Sequence, residues 1–331
     1  MGNINVLDCT LREGGYVNDW NFGKENIKKI IQALYLCGID FVECGFYKIQ
    51  KFSQDKSIFN SLEKFCDIVP NDLKFTLMIN FGEVPIDFIP KCENKNLYFR
   101  VAFRQNDYIQ ALDYCRSLKD KGYKIFVNSM SVNSYSKNEL YELIERVNDL
   151  TPYAYTLSDT LGCMQKNDII NAFEVADKNL SDNIKLAFHS HNNMQLAFSN
   201  SQLFLEQGIN RDIIIDSTLM GIGRGAGNLS TEMITKFLNF MYGKNYNLEY
   251  LLNIIEEQIQ PIFSKKQWGY SVPYYISALN SCHPNYAKYM YEELHLNIQQ
   301  IYDIMQLIPK ENKLLYDKNI VERLCKNNLG V

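Results

Sequence analysis

Residues 154–193, AYTLSDTLGCMQKNDIINAFEVADKNLSDNIKLAFHSHNN, decide the fold because they hold one complete strand–helix–strand unit. Two apolar runs, 154–158 and 185–189, predict buried strands. Between them, residues 166–177 repeat apolar side chains at helical spacing. Mostly apolar strands that alternate with amphipathic helices predict a parallel sheet covered by helices.

The same unit recurs along the first two thirds of the chain. Apolar runs predict eight strands, at 4–9, 40–45, 75–79, 97–102, 124–128, 154–158, 185–189 and 212–216. Helices are predicted between them, for example at 26–37 and 107–121, and Ser136 with Glu139 forms a capping-box pattern. Eight such units favour a closed barrel over an open doubly wound sheet. We therefore predict an α/β protein with a (β/α)8 TIM barrel over residues 1–235.

The pattern changes after about residue 230. Helical periodicity appears at 231–242, 248–260, 284–294 and 298–307, without convincing strands. We predict a C-terminal helical region, residues 236–331, that packs on the barrel.

Composition excludes several classes of protein. The chain has 331 residues, 46% hydrophobic content and a net charge of −4, which argue against disorder and against a nucleic-acid binder that relies on positive charge. No apolar run is long enough for a membrane span. Nine scattered cysteines without a Cys-x-x-Cys pair, and the absence of an export pattern, predict reduced thiols in a cytoplasmic protein.

His189 and His191 follow the seventh predicted strand. Side chains two residues apart on a strand point to the same face, so both imidazoles can reach one metal ion at the barrel mouth. They could also be two hydrogen-bonded polar residues in a loop. We favour the metal interpretation because the chain has only four histidines and two of them lie here.

Charged residues also follow the first two strands. Asp8, Thr10 and Arg12 are predicted to share one face, and Glu13 could add a carboxylate to the two histidines. A site of this kind suits Mn²⁺, Mg²⁺, Co²⁺, Zn²⁺ or Fe²⁺, and ligand type alone does not choose among them. Glu43 lies among apolar residues, where a carboxylate needs a partner, and Arg12 is the natural one.

Two more loops complete the predicted mouth. Asp159 and Thr160 could contact a substrate or could stabilise a turn. Residues 221–228 hold four glycines, which let the backbone approach a ligand closely. This segment lacks the Lys-Ser/Thr ending of a nucleotide-binding P-loop.

Together these segments resemble the DRE-TIM metallolyase superfamily, and within it the family of 4-hydroxy-2-oxovalerate aldolase and other pyruvate-dependent aldolases. The matching motifs occur in the family's order, at 10–14, Glu43, 159–162, the two histidines and 223–228. The resemblance implies a lyase in which Glu13, His189 and His191, with Asn228 nearby, bind a divalent cation, with Mn²⁺ or Mg²⁺ favoured and Co²⁺ or Zn²⁺ as alternatives.

The resemblance also implies the chemistry. A 2-oxo acid enolate, most simply that of pyruvate, would add to an aldehyde or be released from an aldol. Arg12, held by Glu43, would stabilise the oxyanion, and Asp159 and Thr160 would contact the substrate. Two positions depart from the family, with Glu13 replacing its Asp and Tyr16 replacing the catalytic His of the aldolases. The general base therefore stays open among Tyr16, Tyr270, His283 and metal-bound water.

Other functions stay open at this point. A Claisen-type synthase that uses acyl-CoA, similar to isopropylmalate synthase, is the main alternative. A ferrous oxygenase and a non-catalytic barrel that binds through its helical tail are less favoured. The expected partners are a small 2-oxo acid and an aldehyde, with no nucleic acid and no membrane. A homo-oligomer is expected, and a partner enzyme is compatible with the family.

Overall fold

The computed structural model describes residues 2–62, 68–207 and 210–330. Every predicted strand is present within two residues of its predicted ends. The strands are β1 (Ile4–Asp8), β2 (Phe41–Tyr47), β3 (Ile58–Phe59), β4 (Lys74–Asn80), β5 (Leu97–Phe103), β6 (Lys124–Ser129), β7 (Ala154–Asp159), β8 (Lys185–Ser190) and β9 (Ile213–Ser217). The two-residue strand β3 was not predicted.

The strands close into a barrel. β1 pairs in parallel with β9, where Ile4 lies opposite Ile213, and with β2, where Leu7 lies opposite Phe41. The remaining long strands follow one another around the ring, and β3 pairs only with the end of β2. The described residues therefore form an eight-stranded parallel barrel with β3 as an addition at its mouth. The prediction of a TIM barrel is confirmed.

Helices cover the outside of the barrel. They are α3 (Lys24–Cys37), α4 (Tyr108–Asp120), α5 (Lys137–Leu150), α6 (Lys166–Asn179) and α7 (Ala197–Leu205), and the two short helices α1 (Thr10–Glu13) and α2 (Gly15–Asn18) lie at the mouth after β1. The capping box before α5 is present, since Ser136 and Glu139 each accept a hydrogen bond from the other's backbone N–H. The apolar faces of these helices pack against the outward side chains of the strands.

The C-terminal part of the chain is helical. Its helices are α8 (Thr231–Tyr242), α9 (Leu248–Ile254), α10 (Gln260–Lys265), α11 (Val272–Leu279), α12 (Pro284–Lys288), α13 (Ile298–Leu307) and α14 (Lys318–Leu329). Turns of π-helix, Ile255–Ile259 and Tyr289–Glu293, follow α9 and α12. The helices α11 and α14 were not predicted. α11 is rich in aromatic and β-branched residues that favour strands, and tertiary packing overrides that preference.

The floor of the barrel is a sealed aromatic cluster. Phe41, Tyr98 and Phe126 point inward and meet edge to face, with ring centroids 5.6 to 5.8 Å apart. Tyr153 closes the cluster from below. Edge-to-face packing of buried aromatics is favourable beyond the apolar area that it buries. The floor therefore leaves the opposite, C-terminal end of the strands as the open end.

The C-terminal helices have their own apolar cluster and also contact the barrel. Tyr286, Met290 and Ile301 are buried in that cluster. The Trp268 indole N–H donates to the carbonyl of Met220 at 3.0 Å, just beyond β9. The domain boundary near residue 235 stays a prediction. In the part of the chain that the structure describes, no helix has the length and apolar character needed to cross a membrane.

The cysteines are mostly core residues. The eight that the structure describes are free thiols, and seven of them are buried. Cys66 lies outside the described residues.

Candidate metal centre

The chain turns sharply at the mouth end of β1. The strand ends at Asp8, and residues 10–13 form the single helical turn α1. Asp8 accepts hydrogen bonds from the Thr10 N–H at 2.9 Å and from the Thr231 hydroxyl at 2.6 Å. The expectation that Asp8, Thr10 and Arg12 share one strand face is therefore wrong, because the alternation of a strand stops at Asp8.

Three predicted metal ligands lie together at this end of the barrel. His189 is the last residue but one of β8, His191 directly follows that strand, and Glu13 is the last residue of α1. His189 Nε2 lies 3.6 Å from Glu13 Oε1, and His191 Nε2 lies 3.8 Å from Glu13 Oε2. One ligand atom from each of the three buried residues lies within 4.8 Å of the others.

Both imidazoles are oriented by an acceptor behind them. His189 Nδ1 lies 3.0 Å from Asp216 Oδ2, and His191 Nδ1 lies 3.0 Å from the carbonyl oxygen of Asp159. Because these partners accept, we assign the proton to Nδ1, which leaves the Nε2 lone pair free. Burial lowers the pKa of both histidines, most strongly that of His191, so both are neutral near pH 7.

The donor set fits a divalent cation. Within the described residues, Glu13 Oε2, His189 Nε2, His191 Nε2 and Asn228 Oδ1 are buried without a hydrogen-bond partner. The Asn228 amide donates to the carbonyl of Ile222 at 3.0 Å, which leaves its oxygen as the unpaired atom. Such atoms are costly to bury unpaired. All four are Lewis-basic oxygen or nitrogen atoms, as a cation of the predicted group requires.

The glycine-rich turn brings Asn228 to this place. A Cβ at Gly223 would lie 2.0 Å from Asn228 Nδ2 and 3.4 Å from Glu13 Oε2. Only glycine lets the turn approach both side chains so closely. His191 and Asn228 are also paired by a backbone bridge.

A buried network of charges lies beneath the ligands. Arg12 Nε lies 2.6 Å from Glu43 Oε2, which confirms the predicted pairing, and Arg12 also contacts Glu13. Arg100 lies 3.4 Å from Glu43 and 2.7 Å from Asp216. Two arginines and two carboxylates thus neutralise one another below Glu13.

Sequence reasoning missed Arg100 and Asp216. Arg100 interrupts an otherwise apolar strand and is fully buried, and Asp216 lies near the end of β9. The signal was available, because a charge inside an apolar strand requires a buried partner. The partner itself could not be read from the sequence, since Arg100 and Asp216 lie on strands that are distant in the chain.

The side chains of Asp159 and Thr160 both hydrogen-bond to backbone groups of the protein. The Asp159 carboxylate accepts from the N–H groups of Cys163 at 3.0 Å and Met164 at 3.2 Å, as in a turn-stabilising role. Burial raises the pKa of Asp159 to about 7. Thr160 Oγ1 accepts from the Ser131 N–H at 2.7 Å. Both residues still adjoin the centre, Asp159 through its contact with His191 and Thr160 on the cavity wall.

Two cavities adjoin the loops that carry the centre, and Tyr16 lines both. The wider one, of about 430 Å³, also contains Thr160, Arg224 and His283, and the narrower one, of about 250 Å³, contains Arg224 and Tyr274. Tyr270 is 58% exposed, packs near Tyr275 and lines neither cavity. Tyr274, and not Tyr270, is therefore the tyrosine of its segment that faces the mouth.

His283 lies at the edge of the wider cavity. Its Nε2 is 3.0 Å from Arg224 Nη1, and its Nδ1 is 3.2 Å from the Asn285 N–H at the start of α12. Burial, assisted by Arg224 and Arg104, lowers the pKa of His283 to about 3. The imidazole is therefore neutral.

Comparison with known proteins assigns the chain to a family. A family model described as HMGL-like matches residues 3–256. The chain belongs to the HMGL-like family. The predicted superfamily is thereby confirmed, and the expectation of an enzyme of the lyase and aldolase class is confirmed with it.

Individual relatives of this HMGL-like chain are distant. It is 22% identical over 272 residues to a 4-hydroxy-2-oxovalerate aldolase of Bacillus thuringiensis, covering 80% of this chain and 78% of the relative. It is 26% identical to a homocitrate synthase of Pyrococcus horikoshii, covering 75% and 69%. Among solved structures, the N-terminal domain of a provisionally named aldolase from Bacteroides vulgatus has a TM-score of 0.72 and 25% identity, with 88% of this chain and 98% of that one covered.

Proposed function

We propose that the protein is a divalent-metal-dependent aldolase, which makes or breaks a carbon–carbon bond between a 2-oxo acid enolate and an aldehyde. Pyruvate is the simplest such oxo acid. One observation carries the proposal, namely the four unpaired donor atoms of Glu13, His189, His191 and Asn228 at the barrel mouth. The aldolase relatives support the same chemistry.

These four residues would hold the cation. When bound, it would act as a Lewis acid toward the carboxylate and ketone oxygens of the 2-oxo acid. Mn²⁺ or Mg²⁺ is our first choice, because a carboxylate and an amide oxygen contribute to the donor set.

Arg12 supplies the second positive group. Its guanidinium is buried and has five N–H donors, of which Glu43 and Glu13 occupy some. The remaining donors can stabilise negative charge that develops on the ketone oxygen during bond cleavage. Glu43 and Arg100 fix the orientation of Arg12 before the substrate arrives, so the site needs little rearrangement.

Tyr16 is our candidate for proton transfer. It lines both cavities beside the centre, whereas Tyr270 is exposed and the His283 imidazole contacts Arg224 and Asn285. Tyr16 would take the proton from the 4-hydroxyl in cleavage as its phenolate, and as the phenol it would give that proton to the aldehyde oxygen in synthesis.

Proton exchange provides the direct test. Purified protein loaded with Mn²⁺ should exchange the methyl protons of pyruvate with deuterated solvent, as followed by NMR. Glu13→Ala and His191→Ala should lose both the metal and the exchange, whereas Glu174→Ala, which removes an exposed carboxylate on α6, should keep both. Full exchange by metal-free protein would contradict the mechanism.

The homocitrate synthase relative favours a second candidate, a Claisen-type synthase that joins an acyl-CoA to a 2-oxo acid. Such an enzyme would release free CoA, which a thiol reagent detects. CoA release without pyruvate proton exchange would select this alternative.

Several features stay predictions from the sequence. These are a cytoplasmic location, a homo-oligomeric state and a partner enzyme.

A further inference from the structure

We propose that the acceptor aldehyde carries an anionic group, a carboxylate or a phosphate, and that Arg224 binds this group. The inference rests on the proposed aldolase function and names the class of aldehyde that the function alone leaves open.

Arg224 lies beside the metal centre. It follows Gly223, whose backbone adjoins Glu13 and Asn228. Its guanidinium lies over the ring of Tyr16, 4.6 Å from the centroid. Arg224 lines both cavities and is the cation that they share. A ligand group that binds Arg224 would therefore lie close to the metal centre.

The guanidinium of Arg224 lacks an anionic partner in the part of the chain that the structure describes. The buried arginines Arg12, Arg100 and Arg211 each face at least one carboxylate. Arg224 is partly buried, yet no carboxylate oxygen among the described residues lies within 4.0 Å of it, and its neighbours are a phenol ring and an imidazole. A partly desolvated arginine without a counterion is suited to bind an anion from outside the chain.

Arg224 and His283 are a poorly matched hydrogen-bonding pair. A neutral imidazole has one N–H, and His283 Nδ1 accepts from the Asn285 N–H as the N-cap of α12. The proton then lies on Nε2 and faces Arg224 Nη1, which can only donate, at 3.0 Å. In the other tautomer the proton lies on Nδ1 and faces the Asn285 N–H, which is also a donor. An anionic group that draws the Arg224 guanidinium away from His283 Nε2 would relieve this mismatch.

Other charges favour the side of the narrower cavity. That cavity adds Lys266 and Lys288 against one acid, Glu292, which lies 4.0 Å from the Lys288 ammonium. The wider cavity adds one cation, Arg104, and three acids, Glu83, Asp107 and Glu311. Of these acids, Glu83 is paired with Lys48 at 3.1 Å. The anionic end of the aldehyde is therefore expected between Arg224 and Lys266.

The test compares matched aldehydes with the whole protein, loaded with Mn²⁺ and supplied with pyruvate. Succinic semialdehyde is compared with pentanal, and glyceraldehyde 3-phosphate with glyceraldehyde. At least one anionic aldehyde should exceed its neutral counterpart in kcat/KM by about 10- to 100-fold, the effect of a hydrogen bond between charged groups. The first pair tests a carboxylate and the second a phosphate.

Variants assign the preference to Arg224. Arg224→Leu should reduce the ratio to within about threefold, and Arg224→Lys should retain part of it. Arg323→Leu removes an exposed arginine of α14 and should leave the ratio unchanged. A wild-type ratio near one in both pairs, or an unchanged ratio in Arg224→Leu, would overturn the inference. If the leucine variant does not fold, the wild-type ratios still decide the substrate class.

The result is separable from the proposed function. Pyruvate proton exchange without added aldehyde tests the metal and Arg12 alone. Exchange together with equal use of charged and neutral aldehydes refutes the anionic acceptor and leaves the aldolase standing. Absence of both exchange and condensation refutes the aldolase itself, and with it this inference.

Discussion

Replacing Asp216 by Asn should weaken metal binding without removing a ligand. Asp216 Oδ2 lies 3.0 Å from His189 Nδ1 and 2.7 Å from Arg100 Nη2, and the side chain is fully buried. An amide has nearly the same shape, but it loses the negative charge that orients the imidazole and increases the basicity of Nε2. Changes of this kind behind a ligating histidine lower metal affinity by about 10- to 100-fold.

The same change should reduce stability. Arg100 pairs with Glu43 and Asp216, and Arg12 pairs with Glu43 and Glu13, so the variant leaves Arg100 with a single carboxylate that it shares with Arg12. Removing one member of a buried pair costs about 3 to 5 kcal/mol, and we expect about 3 because the amide oxygen still accepts from Arg100. Burial raises the pKa of Asp216, yet Arg100 and His189 lower it more, so the contribution is present at pH 7 and lost only in acid.

Two measurements check this prediction at pH 7. Competition with a fluorescent chelator gives the Mn²⁺ affinity, and urea unfolding of the metal-free protein gives the stability. Asp212→Asn is the matched control, because Asp212 is 38% exposed and pairs with Lys185 at the other end of β9. It should leave metal affinity unchanged and cost at most about 1 kcal/mol. Wild-type affinity and stability in Asp216→Asn would refute the reasoning.

Three further predictions address the fold and the turn. Burial raises the pKa of Asp8 to about 6, so the folded chain holds a proton that the unfolded chain releases between pH 4 and 6. The free energy of unfolding should therefore fall as the pH rises through this window, and Asp8→Asn should remove roughly 3 kcal/mol of that fall. Urea unfolding at several pH values measures it, and the same pH dependence in the wild type and in Asp8→Asn would contradict the prediction. Phe126→Ala leaves a cavity in the floor of the barrel and should lower the free energy of unfolding by about 3 to 5 kcal/mol. Phe88 is 61% exposed, so Phe88→Ala should lower it by less than about 0.5 kcal/mol. Equal losses of stability in urea unfolding would contradict this prediction. A Cβ at Gly227, where φ is +82°, would lie 2.1 Å from the carbonyl oxygen of Gly221, so Gly227→Ala should displace Asn228 and lower Mn²⁺ affinity at least about tenfold. A Cβ at Gly243 meets open space, so Gly243→Ala should leave Mn²⁺ affinity unchanged. Unchanged affinity in Gly227→Ala would contradict this prediction.

The parts of the site that sequence reasoning found are those within short segments. The spacing of His189 and His191 placed both imidazoles together at the mouth end of β8, and Glu43 required a cationic partner that proved to be Arg12. The face assigned to Asp8, Thr10 and Arg12 was wrong, because the helical turn α1 depends on contacts such as the Thr231 hydroxyl on Asp8. Residue 231 lies far away in the sequence, so no local pattern could reveal it.

The sequence by itself determined the barrel, its family and the side chains of the candidate metal centre. Periodicity and residue type are local properties, and eight repeated units have few ways to close. Only the tertiary structure decided what surrounds those ligands. It placed Arg100 against Asp216, Arg224 over Tyr16, and Tyr274 at the mouth in place of Tyr270. Each of these contacts joins segments that are distant along the chain, and such contacts depend on packing that no single segment encodes.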